Sequence, residues 1–113
     1  MNATDATTRV IKLASQYPSG QLGLPAGQLE LSWQVVSKTA GSKQAGYEIQ
    51  SAADADFTQD LQVAEAHSDQ SQFVAAPGSP TASRQVRFFR VRIQTQFGVS
   101  EWSPTLRHET GLI

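Results

Sequence analysis

The feature that most narrows the fold lies in residues 85–96, where apolar side chains return at every second position. Phe89, Val91 and Ile93 fall on one face, and Phe88, Arg90, Arg92 and Gln94 fall on the other. Successive side chains of an extended chain point to opposite sides. This period of two therefore fits a strand with one face in a core and one in solvent, whereas a helix would need repeats of three and four. Phe97-Gly98 closes the segment, with Gly98 able to take the positive φ that a hairpin needs.

The same alternation recurs upstream. Leu29, Leu31, Trp33 and Val35 interleave with Glu30, Ser32, Gln34 and Val36, and Ala45, Tyr47 and Ile49 interleave with Gly46, Glu48 and Gln50. A turn is expected at residues 40–43, around Gly41. Residues 10–13 read as an edge strand, and residues 72–76 as a short strand with Phe73 or Val74 inward. Residues 102–110 read as a last strand that Pro104 interrupts early, which suits an edge or a bulge. Residues 61–66 stay open between strand and helix, because Ala and Gln favour a helix. Residues 52–60 form a polar loop around Phe57, with room for a short helical turn. Pro18, Gly20, Gly23, Pro25 and Gly27 forbid a helix across 17–27. About seven short strands, with turn signals every 8–12 residues, imply an all-β antiparallel sandwich.

Composition excludes several function classes. A chain of 113 residues fits one domain. The absence of cysteine removes disulfides and thiolate chemistry. Nine Lys and Arg against ten Asp and Glu give a net charge of -1, without the basic stripe that nucleic-acid binding needs. No apolar run approaches the roughly 20 residues that cross a bilayer, so no membrane partner is expected. Residues 2–8 are small and polar, with no signal-peptide core, and are expected to be disordered. The reading is a flexible N-terminal lead over residues 1–9 and a folded domain over 10–113, with the compartment left open.

Certain residues carry a resemblance. Trp33 on an early strand, the late alternating strand and the Ser-Glu-Trp-Ser-Pro run at residues 100–104 resemble a fibronectin type III domain, an immunoglobulin-like sandwich. A narrower likeness is to the N-terminal immunoglobulin-like domain of bacterial α-L-rhamnosidases. Leu31-Ser32-Trp33 resembles its Leu-Ser-Trp segment, and Gln44, Tyr47 and Ile49 resemble its Gln-x-x-Tyr-x-Ile strand. Arg90-Val91-Arg92-Ile93 resembles its Trp-Arg-Val-Arg-Val strand, with Phe89 in place of the Trp. Ser100, Trp102 and Ser103 match Ser-x-Trp-Ser, and Glu109-Thr110-Gly111-Leu112 matches the Glu-Thr-Gly-Leu where that domain ends and the next begins. The resemblance implies a non-catalytic accessory domain of a glycoside hydrolase whose catalytic carboxylates lie in a downstream helical barrel. No catalytic residue is therefore assigned to this chain, and no cofactor is expected. Partners are neighbouring domains of the parent enzyme, with an oligomer contact, a carbohydrate ligand or a stand-alone protein ligand as alternatives.

Phe88, Arg90 and Arg92 leave the inferred core together, and Trp102 follows a turn near a sandwich end. Aromatic and arginine side chains are enriched at interfaces, which makes these four the candidate contact patch. An ordinary cross-strand ladder is the competing reading. Trp33 belongs to the core pattern rather than to a sugar platform. Asp54, Asp56 and Asp60 lack the spacing of a calcium loop, and His67 with Asp69 make a weak metal pair, so no metal site is assigned.

Overall fold

Two antiparallel sheets face each other across an apolar core in the computed structural model, which describes residues 4–16, 29–77 and 86–109. The strands are β1 (Thr8–Ser15), β2 (Glu30–Ser37), β3 (Gln44–Ala52), β4 (Gln62–Ala66), β5 (Val74–Ala75), β6 (Val86–Thr95), β7 (Gly98–Val99) and β8 (Leu106–Glu109). One sheet has the order β1-β2-β5. The other runs β4-β3-β6, with β7 and β8 both pairing with β6. The described residues contain no helix.

The alternating residues meet as their period requires. Val10, Leu31, Trp33 and Val74 from one sheet pack against Ile49, Phe89, Val91 and Ile93 from the other. The Trp33 indole donates its Nε1–H to Gln44 Oε1 at 3.1 Å and meets the Tyr47 ring edge-on at 5.6 Å between centroids. Its polar tip is thus satisfied while its body fills the core. The Gln44 amide donates in turn to the carbonyls of Ser68 and Gln70, which ties the loop after β4 to the core. Gly46 follows a register shift in β3, and a Cβ there would lie 2.9 Å from the Ala66 carbonyl oxygen. Only glycine lets β4 approach so closely.

Several readings are corrected. Of residues 61–66, Gln62–Ala66 form the strand β4, because pairing with β3 outweighs the helix preference of Ala and Gln. The last strand starts at Leu106 rather than Trp102, and the separate β7 brings the number of described strands to eight. Val74 is the inward residue of β5, while Phe73 is 61% exposed with φ at 55°. Gly41 and Gly98 take positive φ at their turns. The crossing at 17–27, the break at Gly78 and Pro80 and the terminal motif beyond Glu109 lie outside the described residues.

Thr4–Thr8, within the stretch read as a lead, pair with the rest of the fold. Thr4 bridges to Val99, and the Asp5 N–H donates to the Val99 carbonyl at 2.8 Å. Asp5 is only 3% exposed, and its carboxylate accepts from the hydroxyls of Thr95 (2.6 Å), Thr7 (2.7 Å) and Thr8 (2.8 Å) and from the Thr7 N–H. These donors, Thr95 first, hold the Asp5 carboxyl down at about 2, against a smaller opposing effect of burial. A second buried polar group closes the opposite end of β6. Arg87 is 2% exposed and gives its Nε–H to Ser51 Oγ at 2.8 Å, Nη1–H to Asp60 Oδ2 at 2.6 Å and Nη2–H to the Asp60 carbonyl at 2.9 Å. The same contact lowers the Asp60 pKa.

Two predictions follow from these clamps. A carboxylate whose pKa is depressed on folding stabilises the fold above its unfolded pKa and loses that contribution as pH falls through the folded value. Urea midpoints should therefore hold steady above about pH 5 and decline between about pH 4 and pH 2. Asp5→Asn should flatten that acid limb, and an unchanged limb would mean Asp5 is not its source. Arg87→Ala leaves Asp60 and Ser51 without their donor beside a new cavity, and should cost about 3 kcal/mol in denaturant unfolding. A loss below about 0.5 kcal/mol, the size of an ordinary surface change, would show that the clamp is dispensable.

Candidate functional site

The outer face of the larger sheet is set by the β3–β6 register. Glu48 lies opposite Arg92, Gln50 opposite Arg90 and Ala52 opposite Phe88. The partners of these residues on β4 and β8 extend the rows to Glu65, Val63 and Arg107. All the β6 members of this face are half-buried, while the alternate residues Phe89, Val91 and Ile93 are buried beneath them.

Trp102 reaches this face through two serines. After β7 the chain leaves regular pairing, yet the N–H of Ser100 donates to the Ile93 carbonyl at 2.8 Å and that of Ser103 to the Val91 carbonyl at 2.7 Å. Each serine also accepts: the Ile93 N–H reaches Ser100 Oγ and the Val91 N–H reaches Ser103 Oγ, both at 3.0 Å. The hydroxyls stand in for the backbone carbonyls that an unbroken strand would offer. The ladder of β6 stays satisfied while residues 101 and 102 bulge outward.

The bulge delivers the indole between two arginines. The Arg90 guanidinium carbon lies 4.3 Å from the Trp102 ring centroid, and that of Arg92 lies 4.4 Å from it. The two arginines leave the same strand face two residues apart, a rise of about 7 Å, so the ring intercalates between them. Arg90 also lies 4.2 Å from the Phe57 centroid. The stack therefore reads Phe57, Arg90, Trp102, Arg92. Phe57 is buried with φ at 57°, a costly conformation for an aromatic residue. Its loop is held by Asp54, whose carboxylate accepts from Thr58 and Gln59 and is lowered in pKa by them, Thr58 first.

A hydrogen-bonded row runs beneath the stack. Arg92 gives Nε–H and Nη2–H to Glu48 Oε1 at 2.8 and 2.6 Å, and Arg90 gives the same two donors to Gln50 Oε1 at 2.9 and 2.6 Å. The Gln50 amide faces Glu48 Oε2 at 3.4 Å. Desolvation first, and then the nearby Arg92 charge, lower the Arg90 pKa, with Glu48 opposing them.

The structure thus brings three of the four expected residues, Arg90, Arg92 and Trp102, into one stack, and places Phe88 two positions before Arg90 on the same face. Sequence reading missed Phe57 and Gln50. The only signal for Gln50 was its alternation with Ile49, and Phe57 had none beyond being the loop's single aromatic. A groove of about 270 Å³ beside the stack is lined by Tyr47, Glu48, Glu65, His67, Arg92 and Gln94 among others. Two carboxylates face it, but both oxygens of Glu48 are already engaged. Asp60 is engaged by Arg87. Among the described residues no group of three or more His, Asp or Glu is arranged to hold a metal ion.

Residues 10–113 match the family described as the Rha78A-like N-terminal immunoglobulin domain. The α-L-rhamnosidase of Streptomyces avermitilis is 33% identical over 109 residues, covering 93% of this chain and 11% of that protein. Its crystal structure in complex with L-rhamnose superposes with a TM-score of 0.79 at 32% identity, over 92% of this chain and 10% of that one. The native α-L-rhamnosidase of Aspergillus terreus gives a TM-score of 0.76 at 26% identity, over 94% and 12%. The sixth fibronectin type III domain of human fibronectin type III domain containing protein 3 shares the fold at a TM-score of 0.56 and 10% identity, over 100% and 89%. This chain spans about a tenth of the rhamnosidases it matches. With the sandwich, the Ser-x-Trp-Ser bulge and the match over residues 10–113 in agreement, the chain belongs to the family of Rha78A-like N-terminal immunoglobulin domains.

Proposed function

We propose that this chain is a non-catalytic accessory domain of an α-L-rhamnosidase and packs against a neighbouring domain through the outer face of the larger sheet. The observation that carries this reading is the match along nearly the whole chain to rhamnosidases about ten times its length. The enzymes' chemistry needs a proton donor and a second carboxylate flanking the scissile bond. Here Asp5, Asp54 and Asp60 are held in the ionised form by structural donors, and Glu48 is bound to Arg92. The alternative of a carbohydrate-binding module draws no support from Trp102. A stacking platform needs an open ring face, and guanidinium groups occupy this indole.

The reading frame beyond Ile113 tests the proposal. The extended protein should hydrolyse an aryl α-L-rhamnoside, and the 113-residue chain should not. Hydrolysis by the chain alone would overturn the non-catalytic role, and a frame that stops at Ile113 would overturn membership of an enzyme. Phe88→Ala tests the face. Because the ring is only half-buried, the isolated chain should stay folded at a cost of about 1–2 kcal/mol, below the cost of emptying a full core site. In the extended protein the same change should make this domain melt separately from the rest. Unfolding of the isolated chain would instead assign Phe88 to the core.

A further inference from the structure

We infer that Arg90 and Arg92, on either side of Trp102, form an anchor for an acidic polypeptide segment that presents Asp or Glu side chains. This rests on the docking reading above and names the chemistry of the surface that docks.

The network carries two positive charges and one negative charge. Glu48 is its single carboxylate, with Oε1 taken by Arg92 and Oε2 faced by Gln50. Arg90 receives only the neutral amide oxygen of Gln50. Every hydrogen bond that the two arginines make among the described residues uses Nε or Nη2, which leaves both Nη1 groups as donors. The rings of Phe57 and Trp102 flank Arg90, so its guanidinium cannot swing toward a distant acid. A partner has to bring the carboxylate to it. A guanidinium edge donates two parallel hydrogen bonds to a carboxylate, and partial desolvation strengthens the attraction.

The rim selects the form of the anion. Glu65 stands opposite Glu48, and Glu101 lines a groove with Arg92 and Trp102. The chain's net charge is -1. A continuous polyanion such as a nucleic acid would meet these acids, whereas discrete carboxylates on a polypeptide can pass between them. An extended peptide repeats its side chains on one face about every 7 Å, close to the rise between Arg90 and Arg92. Glu-x-Glu therefore suits the pair.

The test uses the 113-residue chain, labelled with ¹⁵N, and the peptide acetyl-Glu-Gly-Glu-amide. Acetyl-Gln-Gly-Gln-amide and sodium chloride at equal ionic strength serve as controls. The expected result is a saturable shift of the Arg90 Nε–H and Trp102 Nε1–H signals with the acidic peptide alone. Arg90→Gln should weaken binding by about fivefold or more, the size of one modest ion pair, while the Trp33 indole signal stays in place as a check of folding. No shift, an equal shift with the controls, or shifts centred on Arg9 and Lys38 would overturn the anchor. An unresponsive Arg90 in a chain whose frame continues into a rhamnosidase would overturn the anchor and leave the accessory role. A saturable response in a chain whose frame stops at Ile113 would support the anchor and remove the enzyme as the source of the acidic segment.

Discussion

Both faces of the larger sheet depend on one ladder, the pairing of β3 with β6 from Gly46 and Gln94 to Ala52 and Phe88. A slip of one residue would turn Phe89, Val91 and Ile93 outward and send Arg90 and Arg92 into the core. Burying even one unpaired guanidinium there would cost several kcal/mol, a large part of the stability of a small domain. The cost of the wrong register on the inside thus fixes the row on the outside. Glu48 meets Arg92 and Gln50 meets Arg90 because Ile49 must meet Val91.

That ladder has a gap on its far side, which the sequence fills with side chains. Between β7 and β8 the N–H groups of Val91 and Ile93 find serine hydroxyls where strand carbonyls would otherwise lie. A buried N–H left unpaired would cost about 1–3 kcal/mol. Ser100 and Ser103 remove that penalty, and their spacing of three leaves two residues free to bulge. The second of these is Trp102. The indole's position is therefore a consequence of backbone accounting on β6 as much as of its attraction to the arginines.

The strands were legible wherever one face is buried and the other solvated, because the period of two survives in the sequence; β2 and β6 are of this kind, and β3 is from Tyr47 onward, whereas the register shift before Gly46 leaves Ala45 exposed and Gly46 buried. β4 was not, since Val63 and Glu65 are exposed and Ala64 and Ala66 only half-buried, so the edge strand carries little apolar contrast. The Ser-x-Trp-Ser run pointed to the right region and to the wrong element, because a side-chain-capped bulge and a strand share the same residues until the donors are located. The Asp5 clamp escaped notice for a related reason. Short polar residues suit a disordered lead equally well, and only the approach of Thr95 from 90 positions away gives Asp5 its role. Its local sign, Asp followed by Thr-Thr within three residues, is that of a side-chain-capped turn. Phe57 likewise joins the stack through a loop whose φ values no alternation pattern encodes.

The acids of this chain set the terms on which it can act. A catalytic acid must hold a proton near neutral pH, which takes burial or a neighbouring negative charge to raise its pKa. Asp5, Asp54 and Asp60 are shifted the other way, each by donors that also hold a segment in place: the N-terminus, the Phe57 loop and the end of β6. Carboxylates used in this manner stabilise the sandwich by tying its segments together. The arginines present the opposite balance. Arg87 is neutralised by Asp60 and Arg92 by Glu48, whereas Arg90 is desolvated between two rings and shares only an amide oxygen. Arg90 is thus a half-buried guanidinium that no carboxylate of the described residues engages, and under the docking proposal an acidic side chain of the adjoining surface would supply that partner.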